Sequence, residues 1–190
     1  MSQVVQGLAS GKAMILDQSM HVGLSIVQAL ETHLGKPPST APYAQRKQFE
    51  RSLRQASEHL WVQIRDAQRT IKGIQVPPIF RTLFPEVKDC WMPLVHLQTL
   101  VGADSRYQSG IHYPVLGHRL HPFYDVYAPT RTEHLELFAT WLRQYQGDRT
   151  HAVDVGTGSG ILTYLLAKGG ASSIDATDQN PNAIYSLEQE

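Results

Sequence analysis

Three glycines within five residues, set directly behind a short apolar run and followed at a distance by an acid, are the part of this chain best suited to chemistry. His151-Ala152-Val153-Asp154-Val155 reads as a strand, and Gly156-Thr157-Gly158-Ser159-Gly160 follows at once. Ile161 to Lys168 reads as a helix closed by Gly169-Gly170. Ser173-Ile174-Asp175-Ala176-Thr177 is a second strand that ends at Asp178. Glycine lets the backbone bend sharply and lets a ligand approach with no side chain in the way. The helix start behind such a turn offers unpaired N–H groups and the positive end of its dipole. A right-handed crossover lays the second strand beside the first. An acid at the end of that strand then faces the same crevice, where it can accept hydrogen bonds from ribose hydroxyls.

The glycine spacing separates ligands. Dinucleotide folds favour G-x-G-x-x-G, whose last glycine lets helix and strand pack closely. Here Gly156, Gly158 and Gly160 are followed by Ile161, so that run is not met. The form is Asp-x-Gly-x-Gly-x-Gly, which resembles the first motif of class I S-adenosylmethionine-dependent methyltransferases. Asp178-Gln179-Asn180-Pro181-Asn182-Ala183 is similar to their second, acidic motif. Within that superfamily, Val153 to Ile161, reading VDVGTGSGI, resembles the first motif of the HemK/PrmC-like small-domain methyltransferases. Ala128-Pro129-Thr130-Arg131-Thr132-Glu133 resembles their Pro-rich Thr-Glu lead-in, with Pro129 where they usually carry arginine. The resemblance runs from about Tyr127 onward.

What the resemblance implies is specific. Gly156, Thr157, Gly158 and Gly160 would form the turn beneath the methionine part of S-adenosyl-L-methionine. Asp154 would orient its ammonium, Asp178 would hold the ribose hydroxyls, and Gln179 would lie against the adenine. Methyl transfer to an amide or exocyclic nitrogen of a protein or nucleic acid is the implied reaction. The family's Asn/Asp-Pro-Pro-aromatic signature, which positions the acceptor nitrogen, is absent, so no catalytic residue is assigned. Parallel strands are ordinarily covered on both faces and paired along both edges. The chain is therefore expected to be an N-terminal portion with an incomplete sheet, inactive in methyl transfer and weak in cofactor binding.

Upstream elements must position this turn. Thr132 to about Tyr145 is expected to be a helix, with Leu135, Phe138, Trp141 and Leu142 on one face. Tyr107 to Pro129 reads as short strands and turns, preceded by a short helix near Leu94–Leu100. Gly73 to Pro93, rich in proline, holds Ile79, Phe80, Leu83, Phe84 and Trp91 and is expected to be ordered and partly buried. Phe49, Leu53, Ala56, Leu60, Ile64, Ala67 and Ile71 alternate steps of four and three, which predicts one helix from Ala44 to Lys72. Cations on it (Arg46, Lys47, Arg51, Arg54, Arg65, Arg69, Lys72) outnumber Glu50, Glu58 and Asp66, which suits either a solvated face or a docking face for RNA or an acidic protein. The first 34 residues read as one or two helices stopped by Gly35-Lys36-Pro37-Pro38.

The resulting fold class is α/β. Residues 1–102 form an N-terminal helical region for substrate docking, 103–130 a connecting β-rich segment, and 131–190 the start of a Rossmann-like methyltransferase domain. Balanced charge, 17 Lys and Arg against 17 Asp and Glu, excludes nucleic-acid binding by bulk charge. A single cysteine, Cys90, excludes a disulfide framework or a cysteine-rich zinc site. His112, His118 and His121 have only Asp125 as a nearby acid, so no metal is expected. No apolar run reaches the roughly 18 residues of a membrane span, no signal peptide is read at the start, and a cytoplasmic location is expected. Two alternatives stand beside the methyltransferase: an NAD(P)-linked oxidoreductase using the same crevice, and a non-catalytic helical interaction module with a vestigial cofactor fold.

Overall fold

The computed structural model describes residues 1–67 and 75–190, which divide into two compact units, Met1–Val101 and Gly102–Glu190. The first runs α1 (Ser2–Ala9), β1 (Met14–Ile15), α2 (Met20–His33), α3 (Tyr43–Ser57), β2 (Leu60–Ile64), α4 (Ile79–Leu83), β3 (Cys90–Pro93) and α5 (Leu94–Ser109), the last crossing into the second unit. Strand β2 is the centre of a three-stranded sheet, parallel to β1 through Met14 and Leu60 and antiparallel to β3 through Val62 and Met92. Helices α1, α2 and α3 pack their apolar faces on it, bringing Leu8, Leu30 and Ala56 against Leu60 and Val62. Gly23, inside α2, makes room for this. A methyl group there would come within 2.6 Å of Leu94 and 2.7 Å of Leu16.

Three expectations are corrected here. The helix expected over Ala44–Lys72 ends at Ser57, and Leu60-Trp61-Val62-Gln63-Ile64 is a strand. Leu60 and Ile64 lie four apart, which suits a helix stripe and a strand face equally. Val62 between them decides: it is as buried as they are, and alternate burial is a strand's period. Ile71, Arg69 and Lys72 lie outside the described residues. The N-terminal region is accordingly not helical alone but a mixed sheet under helices. Finally, the short helix near Leu94–Leu100 continues to Ser109, so the stretch expected to be β-rich begins as helix.

The second unit continues with β4 (Ile111–Tyr113), β5 (His118–Leu120), α6 (Glu133–Gln144), β6 (His151–Val155), α7 (Ile161–Lys168), β7 (Ser173–Thr177) and α8 (Pro181–Glu188). Strands β4 and β5 form an antiparallel hairpin, and β6 and β7 a parallel pair joined through α7. Tyr113 and Leu120 of the hairpin pack with Leu135 and Leu142 of α6 and Ile161 and Leu165 of α7. The face that α6 buries is Leu135, Ala139 and Leu142; Trp141, expected on that face, is half exposed and stacks with Phe138. A single guanidinium joins two helix ends. Arg149 donates to the carbonyls of Leu142 and Tyr145 at the end of α6 and to Gly169 at the end of α7. Positive charge and donors at a helix C-terminus are favourable on both counts.

Candidate functional site

The strand-turn-helix-strand run forms as its residues dictate. β6 and β7 pair in register from His151–Ser173 to Val155–Thr177, so the glycine turn and Asp178 emerge at the same end of the pair. Gly156, Gly158 and Gly160 all have positive φ, at 78°, 53° and 76°, where a side chain costs roughly 1 kcal/mol or more. At Gly158 a side chain would also stand 3.0 Å from the Tyr127 carbonyl, whereas at Gly156 it would meet nothing within 4 Å. One flank of the turn is thus packed and the other open.

All five N–H groups of the turn donate within the protein. Gly156 and Thr157 donate to the Thr177 carbonyl at 2.7 and 2.9 Å, Ser159 to the Tyr127 carbonyl at 3.0 Å, and Gly160 to the Thr157 carbonyl at 2.8 Å. Gly158 donates to Asp178 Oδ2 at 2.9 Å, while Asn180 N–H donates to Asp178 Oδ1 at 2.8 Å. These backbone bonds, with a weaker contribution from Gln179 N–H, hold the Asp178 carboxyl below the usual aspartate range. Asp154 is buried and accepts from Thr163 Oγ1 at 2.6 Å; Thr163 lies 2.9 Å from Thr157 Oγ1. The Ser159 hydroxyl is buried with no hydrogen-bond partner among the described residues.

The structure therefore gathers Asp154, Gly156, Thr157, Gly158, Gly160 and Asp178 at one turn. Gln179 is adjacent in sequence, with its side chain exposed. Two contributors were not anticipated. One is Thr163, whose hydroxyl joins Asp154 to Thr157. The other is a strap, residues 121–127, that runs along α8 from its cap to Ser186. Asn180 Nδ2 donates to the Asp125 carbonyl at 2.7 Å and Asn182 Nδ2 to the Tyr124 carbonyl at 3.0 Å. Phe123 N–H donates to Ser186 Oγ at 3.1 Å. The strap sets the Tyr127 carbonyl against the turn, and its own Asp125 takes a positive φ to do so. Asn180 also caps α8, its Oδ1 accepting from Asn182 N–H, as its place before Pro181 leads one to expect.

Among the described residues no three of His, Cys, Asp and Glu gather in a way that could hold a metal. His112 and His118 are exposed on the hairpin, and the His121 ring bonds the Tyr107 carbonyl at 2.7 Å. No helix among those residues is long and apolar enough to cross a membrane.

The family model described as ribosomal protein L11 methyltransferase (PrmA) matches residues 132–189. That span runs from the residue before α6 to the end of α8 and holds the whole turn. It supports an S-adenosylmethionine-dependent methyltransferase family for this segment, which is under a third of the chain, and favours neither alternative. It names a family other than the HemK/PrmC-like one whose motifs the turn resembles. No curated protein matches the chain.

Proposed function

We propose that residues 131–190 open a Rossmann-like S-adenosyl-L-methionine-binding domain and that the protein methylates a nitrogen of a macromolecule. The observation that carries this reading is the polarity of the turn. Its own N–H groups are all engaged, while Asp154, Thr157 and Asp178 retain unused acceptor lone pairs. A pyrophosphate needs donors, so a dinucleotide finds little here. A sulfonium nucleoside brings an ammonium and two ribose hydroxyls, which are donors, and finds acceptors. Each Asp178 oxygen takes one N–H and has a second lone pair for a hydroxyl. The open flank of Gly156 also suits a ligand lying on this turn.

In this reading Gly156, Thr157, Gly158 and Gly160 lie beneath the methionine portion, Asp154 takes the ammonium, Asp178 the ribose, and Gln179 the adenine. The bound group supplies an electrophilic methyl; these residues bind and orient it. Residues 1–102 dock the substrate, with the exposed cations of α3 (Arg46, Lys47, Arg51, Arg54) as the candidate surface. The name of the matched family favours a protein over a nucleic acid as acceptor. Val153 and Val155 are exposed on β6, as they would be if further strands and helices complete this sheet.

Calorimetric titration of the full-length protein with S-adenosylhomocysteine and with NAD tests the reading. Binding of the former, weakened by Asp178→Ala about tenfold or more, is the expected result. A response to NAD with none to S-adenosylhomocysteine would overturn it in favour of the oxidoreductase.

A further inference from the structure

Thr163 is the third residue of α7, behind the turn, and its hydroxyl carries one proton. That proton goes to Asp154 Oδ2, at 2.6 Å, the length of a hydroxyl bond to a charged oxygen. Thr163 can then only accept from Thr157, 2.9 Å away. Both proton positions are fixed in one direction, from Thr157 to Thr163 to Asp154. Thr157 is left with lone pairs alone, and Asp154 Oδ1 has no hydrogen bond to any described residue. The result is two acceptors with no spare donor between them.

We propose that Thr163 is a positioning residue that makes Asp154 and Thr157 an all-acceptor pair for the ammonium of an α-amino acid group on the ligand. This rests on the S-adenosylmethionine reading and adds to it a residue that touches no ligand. Valine at 163 keeps the shape but removes the donor to Asp154 and the acceptor for Thr157. The Thr157 proton is then free to turn onto Asp154 or toward the ligand, and the pair loses its fixed polarity.

The test compares two ligands by calorimetry on the full-length protein. S-adenosylhomocysteine carries the ammonium, whereas 5′-methylthioadenosine has the same nucleoside without the amino acid. Thr163→Val is expected to weaken S-adenosylhomocysteine about tenfold while leaving methylthioadenosine within about twofold, and Thr163→Ser to restore affinity. The unchanged methylthioadenosine affinity also shows that the variant is folded. Equal losses for both ligands would reduce Thr163 to a structural residue and overturn the proposal, as would no loss for either. Wild-type protein that binds NAD and neither nucleoside defeats the functional reading itself. S-adenosylhomocysteine binding untouched by Thr163→Val defeats only the role of Thr163.

Discussion

Two of the three sheets among the described residues, β1-β2-β3 and β6-β7, differ in what surrounds them. In the first unit β2 has a strand on either side and buries Leu60, Val62 and Ile64 almost completely. In the second, Val153 and Val155 of β6 are 56% and 82% exposed, and the buried side chain of that strand is the carboxylate of Asp154. Beyond the strand ladder and the apolar packing of Ile161 and Leu165 of α7, polar bonds hold the ends of the β6–β7 unit: the turn N–H groups on Thr177 and Asp178, and Arg149 on the helix carbonyls. A sheet held by apolar burial tolerates little loss of volume. One whose turn is also held by directed bonds keeps that turn's geometry while leaving the flank of Gly156 open, which is what a ligand site requires.

The contrast is sharpest in a pair of truncations. Leu60→Ala removes a fully buried side chain from the first core and is expected to cost about 3 kcal/mol. Val155→Ala removes an exposed one and is expected to cost less than about 0.5 kcal/mol. The tryptophans report on the units separately, since Trp61 and Trp91 lie in the first and Trp141 in the second. Urea melts followed in variants retaining one set or the other measure both effects. Comparable losses would mean that β6 is covered after all, and the comparison would fail.

Next in size is the loss of the Arg149 guanidinium. Methionine there keeps most of the aliphatic stem but leaves the carbonyls of Leu142, Tyr145 and Gly169 without their donor. A destabilisation of about 1–2 kcal/mol is expected, visible in Trp141 fluorescence and absent from the Trp61 and Trp91 signal. A melt unchanged at Trp141 would show that directed bonds do not hold the second unit.

The same contrast explains what could be read ahead of the structure. The run from His151 to Asn182 was legible because its signals are local: alternating apolar residues, glycines where φ must be positive, and Asn180 before Pro181 at a helix start. β2 is hidden in the sequence because Leu60 and Ile64 satisfy two periods at once, and only its pairing with β1 and β3 separates them. The exposure of Trp141 does not follow from its spacing, because a helical stripe does not say which of its edges meets the core. Thr163 and the strap over Asn180 and Asn182 had no local signature at all. A threonine in a helix's first turn is ordinary, and bonds spanning more than fifty residues, such as Asn180 to Asp125, follow from tertiary packing alone.

The smallest effect concerns Asp178 and is seen only against pH. Its folded carboxyl is held below the ordinary value by the N–H groups of Asn180 and Gly158. The unfolded chain therefore takes up a proton first as the solution is acidified. The stabilising contribution of Asp178 is complete above the ordinary aspartate range, near pH 4, and is lost as pH falls through the lower folded value. Asp178→Asn lacks this titration, and its amide cannot accept from both N–H groups with nitrogen and oxygen alike. Urea midpoints read at Trp141 should show wild type above the variant by a constant margin from pH 7 to about pH 5, and the margin should close below about pH 4. Asp148, whose carboxyl is lowered by its bonds to Thr150, titrates in both proteins and cancels in the difference. A margin that stays constant down to about pH 2.5, well below the ordinary range, would mean that the two N–H bonds do not favour the charged carboxylate. The turn would then be held by its bonds to Thr177 and Tyr127, with Asp178 free to swing to whatever binds there.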